Sequence, residues 1–273
     1  MGSPNLDLCT TKIEEIPYLV PLSDRKIPIT FFRSSTQEKQ PVIIFIHGGG
    51  YIGGSTSVLR NQCRFLAEQS ASTVISIDYR LAPECPFPAA FDDCKDVIQW
   101  IIQNADSWNL DSGNLTVAGE SAGGSLAVAC GLSDIGKYIN LVIPIYGALD
   151  ISSATDLDYW NYDNYAVIPE HKKYVTTRLN RFRNLNAVLQ NLYITSDSEI
   201  KNPAVSPLYT SDLSNLSNVL IIEAEYDYFR LSNDIFAERL ITSNIPCESF
   251  DIREWIMGFM IVLDIANKRK IVF

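Results

Sequence analysis

LTVAGESAGGSLAVA, residues 115–129, is the stretch that decides the fold. Leu115–Ala118 reads as a short apolar strand. Three glycines then crowd around Glu120 and Ser121, and an Ala-rich helix, Gly123–Leu132, follows. A buried strand running through a tight turn into a helix is the repeating unit of an α/β protein. Upstream, PVIIFIHGGG (Pro41–Gly50) has an apolar run without alternation, as a parallel strand covered on both faces requires. Leu59–Gln69 has helical spacing, Ser72–Ile77 reads as a strand and Phe91–Asn104 as a helix. Downstream, strands are expected at Leu141–Tyr146, Val219–Glu223 and Cys247–Ile252. A helix is expected at Ser232–Ser243, a short element at Leu192–Thr195 and a final helix at Phe259–Lys268. Two extended segments open the chain, Ile13–Leu19 and Ile27–Phe32. The polar turn Ser23–Lys26 between them makes them an antiparallel hairpin.

This alternation predicts one α/β domain over residues 1–273, with a mostly parallel sheet flanked by helices. Residues 151–191 break the pattern, being aromatic and charged with no strand period. In an open α/β sheet ligands sit beyond the carboxyl ends of the strands, so this insertion is expected to form a small lid there.

Composition narrows the classes. Of 273 residues, 47% are apolar and 20% charged, an ordinary globular balance. With 22 Lys+Arg against 32 Asp+Glu, the net charge of −10 argues against nucleic-acid binding, which needs clustered cations. No run reaches the roughly 18 apolar residues of a membrane span. The longest, Trp255–Leu263, is interrupted by Gly258. The opening MGSPNLDLCT lacks a basic leader with an apolar core, and Leu6 stands where a myristoylation motif wants Ser or Thr. Six cysteines are scattered without a CxxC pair, so neither a zinc site nor a disulfide framework is expected. A cytoplasmic protein with reduced thiols is the expectation.

The candidate chemistry sits on two glycine-rich turns. Gly119–Gly123 is a GxSxG between strand and helix, the setting in which a serine nucleophile is held on a strained turn. The helix that follows aims its N-terminal N–H groups at an oxyanion. His47-Gly48-Gly49-Gly50-Tyr51 follows the strand Val42–Ile46. The N–H groups of Gly49 and Gly50, with that of Ala122, would form an oxyanion hole.

These motifs and their spacing resemble the hormone-sensitive-lipase-like carboxylesterase branch of the α/β-hydrolases. The resemblance runs from about Val42 to Phe259. It rests on HGGG (His47–Gly50), DYRLAPE (Asp78–Glu84), FPAAFDD (Phe87–Asp93), GESAGG (Gly119–Gly124) and NPAVSPL (Asn202–Leu208). It implies hydrolysis of short-acyl carboxylic esters with no metal or organic cofactor. The partner would be a small-molecule ester or carboxylate, and a homodimer is compatible with the family. His47, with Gly48 and Glu120 beside the two turns, is implied to be structural, and Ser121 to attack. Asp227 is implied as the triad acid, with Asp234 as its competitor inside the next helical pattern.

The base position departs from the family. Where the pattern is close to His-Gly-Phe, this chain has Met257-Gly258-Phe259. A thioether cannot take a serine's proton near neutral pH. Only two histidines exist, His47 and His171. Three readings follow: an esterase with a substitute base (His171, Glu254 or Asp251), a non-catalytic binding protein similar to the plant gibberellin receptor, or a substituted form of an active parent. Weak activity is the expectation.

Overall fold

The structure, a computed structural model, describes residues 6–34, 38–152 and 158–253. Met257, Glu254 and the helix expected at Phe259–Lys268 lie outside the described residues. One eight-stranded sheet organises the rest, in the order β1-β2-β4-β3-β5-β6-β7-β8. The strands are β1 (Ile13–Pro21), β2 (Lys26–Ser34), β3 (Gln40–Ile46), β4 (Thr73–Ile77), β5 (Leu110–Glu120), β6 (Leu141–Ile145), β7 (Val219–Ala224) and β8 (Cys247–Ile252). β1 and β2 form the antiparallel hairpin, and β2 pairs antiparallel with β4. Every pairing from β4 through β3, β5, β6 and β7 to β8 is parallel.

The apolar run of β3 explains its central place. Val42, Ile44 and Ile46 enter one core layer, which also takes Val97 and Ile98 of α2 (Ala89–Asn104) and Leu126 of α3 (Ala122–Leu132). Phe45 enters the opposite layer with Cys63 and Ala67 of α1 (Arg60–Ser70). A strand whose successive side chains are buried on both faces needs no polar alternation.

Two expectations are corrected. β5 starts at Leu110, not Leu115, because Gln40 and Pro41 of β3 pair with Leu110 and Asp111 before the register shifts at Val42. The element expected at Leu192–Thr195 is instead the end of α4 (Pro169–Tyr193), a 25-residue helix that occupies most of the 151–191 insertion. The helix closes at Ile194, whose N–H bonds back to Gln190 O at 3.0 Å. The last helix among the described residues, α5 (Arg230–Thr242), follows β7. No helix among the described residues is long and apolar enough to cross a membrane.

The motifs outside the two glycine turns brace the loops. Buried Asp93 of FPAAFDD takes the Arg80 Nε of DYRLAPE at 2.9 Å and Arg25 Nε from the β1–β2 turn at 2.8 Å. Ala82 N–H donates to Tyr51 O at 2.9 Å, tying DYRLAPE to the HGGG turn. In NPAVSPL, Ser206 Oγ accepts the Ile151 N–H at 3.1 Å, and Val205 O lies 3.3 Å from the Ser125 hydroxyl that donates to it. That motif therefore anchors both α3 and the start of the insertion.

Candidate active site

Ser121 has φ +52° and ψ −117°, a left-handed conformation that L residues rarely hold. The turn is pinned by hydrogen bonds from both sides. Ser121 N–H donates to Ile145 O at 2.9 Å, and Ser121 O accepts from Ser125 N–H at 3.1 Å and Ala148 N–H at 3.0 Å. Its flanking glycines are steric necessities. A Cβ on Gly119 would stand 2.3 Å from Gly123 O, and one on Gly123 would stand 2.1 Å from Ile46 O. The elbow thus packs backbone to backbone against the end of β3, where the second turn begins.

In that second turn Gly49 and Gly50 have φ of +123° and +62°. Gly49 O takes the N–H groups of Ile52 and Gly53 at 3.2 and 3.1 Å, closing the turn on itself. The N–H groups of Gly49, Gly50 and Ala122 have no acceptor among the described residues. Gly49, Gly50, Ser121 and Ala122 all line one cavity of about 390 Å³. Glu120 joins the two turns. Its Oε1 accepts the Gly48 N–H at 3.3 Å, and its Oε2 accepts the Tyr146 hydroxyl. Burial raises the Glu120 carboxyl above its ordinary range, opposed by those two bonds.

His47 stands apart from the cavity. Its ring stacks on Tyr79 at 4.3 Å, its Nδ1 lies 2.7 Å from Gly48 O, and the Tyr79 hydroxyl donates to His47 O at 2.9 Å. Burial pushes the imidazole below its ordinary value, so it remains neutral. His171 is exposed at the start of α4, and Asp251 is exposed on β8. Neither lines the cavity.

Asp227 lies just beyond β7 and is fully buried. Its Oδ1 accepts the Phe229 N–H at 2.7 Å, while its Oδ2 has no partner among the described residues. Tyr165 donates to Asp227 O at 2.8 Å. Burial pushes the carboxyl up to about 7, against the Phe229 bond and the charge of Arg178. Asp234 instead sits half-exposed on α5, 3.5 Å from Arg230 Nε.

A carboxyl whose pKa rises on folding binds its proton more tightly in the native state. Its contribution is fully present below the unfolded value near 4 and is lost as pH rises through about 7. Urea midpoints should therefore fall between pH 5 and pH 8. Asp227→Asn should shrink that fall by on the order of 2 kcal/mol. Parallel curves for the two proteins would rule out this account of Asp227.

The insertion shapes the rest of the cavity. Arg178, Phe182, Leu185, Asn186 and Leu189 of α4 line it, each three or four residues from another of the set so that they share one helix face. Asn186 Nδ2 donates to Ile151 O at 2.8 Å. A Cβ on Gly50 would meet Leu189 Cδ1 at 2.7 Å, so α4 rests directly on the HGGG turn. Sequence reading named none of these α4 residues, although their helical spacing was a usable signal.

Residues 43–261 match the family described as having the alpha/beta hydrolase fold. The chain is an α/β-hydrolase. Among its relatives in that family, the arylesterase of Saccharolobus solfataricus is 30% identical over 248 residues, 88% of this chain and 75% of that protein. The ethyl acetate hydrolase of Pseudomonas putida is 29% identical over 230 residues, 81% of this α/β-hydrolase and 68% of the relative. A hyperthermophilic esterase of Pyrobaculum calidifontis superposes with a TM-score of 0.76 at 30% identity, covering 91% of this chain and 78% of its own.

Proposed function

We propose that this α/β-hydrolase acts on carboxylic esters with short acyl groups, with Ser121 as nucleophile and low turnover because Met257 stands at the base position. The observation that carries the reading is the strained Ser121 turn opening into the same cavity as the uncommitted N–H groups of Gly49, Gly50 and Ala122. Ester hydrolysis needs a hydroxyl oxygen to attack the carbonyl carbon while the carbonyl oxygen gathers charge. Donors fixed around that oxygen lower the barrier without reorganising. The α3 dipole adds partial positive charge at the same point. Names of the relatives, arylesterase and ethyl acetate hydrolase, support the same reaction class.

In the proposed cycle the Ser121 oxygen forms an acyl bond as the alcohol departs, and water then cleaves that bond. Each half needs a base to take a proton and return it to the leaving group. Asp227, buried with Oδ2 unpartnered, is suited to hold an imidazole N–H rather than to act on Ser121 directly. His47 is packed under Tyr79 and cannot serve as that imidazole. Residues 151–191 would act as the lid. The six free thiols fit a cytoplasmic setting. The family allows a homodimer.

A binding role is the second reading, favoured by the cavity's lack of a lining histidine among the described residues. Hydrolysis of p-nitrophenyl acetate by the chain and by Ser121→Ala separates the two. Slow turnover that Ser121→Ala abolishes supports the hydrolase. Equal rates for both proteins would leave only the binding role.

A further inference from the structure

Away from Ser121 and the glycine turn the cavity is largely apolar. Tyr51, Ile52, Phe182, Leu185, Leu189 and Phe229 supply most of its wall. Its polar side chains are largely committed already. Glu120 is held by Gly48 and Tyr146, and Asn186 donates to the carbonyls of Ile151 and Ser152. Arg178 is different. It is the sole cation among the described residues that line the cavity, and no hydrogen bond or ion pair joins it to any of them. Its guanidinium carbon lies 5.8 Å from the centre of the Phe182 ring one turn along α4. Stacking of that kind steadies the planar group and leaves its N–H edge available to an oxyanion.

Charge along α4 points the same way. The chain as a whole carries −10, yet α4 has five Lys or Arg residues (Lys172, Lys173, Arg178, Arg181 and Arg183) against the single carboxylate of Glu170. A local positive field on an acidic protein raises the local concentration of anions at that spot and repels cations.

The Arg178 guanidinium lies over Phe182 and feels the Asp227 charge, but it has no hydrogen-bond or ion-pair partner among the described residues. From its pairing with an apolar cavity, we infer that the ligand carries a carboxylate as well as an ester, and that Arg178 receives the carboxylate. The chemical class is a half-ester of a dicarboxylic acid. Its ester end faces Ser121, its apolar chain spans the wall and its free carboxylate meets Arg178. A neutral diester would fill the same volume but would desolvate the guanidinium without offering its N–H edge an oxyanion acceptor, which is unfavourable. The inference rests on the ester-hydrolase reading for the orientation of the ligand, and on the cavity alone for its charge.

Calorimetric titration with monomethyl glutarate and with dimethyl glutarate tests it, using the chain itself, Arg178→Gln and Arg178→Lys. The half-ester is expected to bind about 10- to 100-fold more tightly than the diester, the range of a hydrogen bond to a charged group. That preference should vanish in Arg178→Gln and survive in part in Arg178→Lys, which keeps the charge but loses the fork. Equal binding of the two esters, an undiminished preference in Arg178→Gln, or binding of neither ester overturns the inference. Failure of the hydrolase reading shows elsewhere, in Ser121-independent hydrolysis of p-nitrophenyl acetate, which carries no carboxylate.

Discussion

Met257→His is expected to raise the turnover of p-nitrophenyl acetate by at least about 10³-fold, with a ceiling near 10⁶. The ceiling is the cost of losing a triad histidine in a serine protease, about 10⁶ in kcat. Set against a typical enzymatic turnover of about 10 s⁻¹, that cost leaves on the order of one event per day. The lower bound allows for imperfect placement of the new ring, since a base must come within hydrogen-bond reach of the hydroxyl it serves. The site is prepared for the change at the other end. Asp227 presents a buried carboxyl oxygen without a donor among the described residues, and an imidazole N–H would satisfy it. A cationic imidazolium formed during attack would also draw the Asp227 carboxyl down from about 7 and keep it ionised. The gain must disappear in the double variant with Ser121→Ala. A gain that survives would mean that the new histidine hydrolyses the ester by itself. No gain in a folded Met257→His protein would mean that position 257 does not face Ser121.

Gly123→Ala is expected to cost about 4 kcal/mol or more of stability, a loss at the severe end for single substitutions. Helix propensity predicts the opposite sign, because alanine is favoured over glycine inside a helix by about 1 kcal/mol. Packing decides the matter. The added Cβ would lie 2.1 Å from Ile46 O and 2.6 Å from His47 O. Both are backbone atoms at the end of β3, which is hydrogen-bonded to β4 on one side and β5 on the other. Neither can withdraw without breaking the sheet's centre. For a chain of this size that loss lowers Tm by roughly 10 °C. Gly131→Ala is the internal comparison: its new Cβ meets side-chain atoms of Leu216 and Val142, which can shift. It should cost far less. Thermal unfolding of the two variants side by side reads the difference, and equal losses would contradict the backbone-clash explanation.

Much of the sheet could be read from the chain because buried parallel strands announce themselves as unbroken apolar runs. β3 lies where VIIFI places it; β8 also falls on Cys247–Ile252 as expected, although CESFDI is mostly exposed and not an apolar run. The start of β5 escaped because Asp111, Ser112, Gly113 and Asn114 look like a loop, whereas in the fold the pairing of β3 with Leu110 and Asp111 draws them into the strand. α4 escaped for another reason. Its Lys, Arg and Asn residues dilute the apolar stripe, and the run Leu192–Thr195 imitates a strand until the helix before it is seen to continue. At the site, residues carried on glycine motifs were legible, since the spacing itself reports the turn. Arg178, Phe182 and Leu189 were not, because only the folding of the insertion over the sheet brings them to Ser121.

The contact of Leu189 with Gly50 joins two tasks that many enzymes keep on separate parts. Leu189 lines the cavity, and Gly50 belongs to the turn whose N–H groups are proposed to face the reacting carbonyl. Trimming Leu189 to admit a bulkier guest would also remove the weight that steadies those donors. Widening the repertoire of this scaffold therefore draws on the turn proposed to stabilise the oxyanion, and a redesign that seeks new guests without that penalty must work on cavity residues away from that contact, such as Leu185.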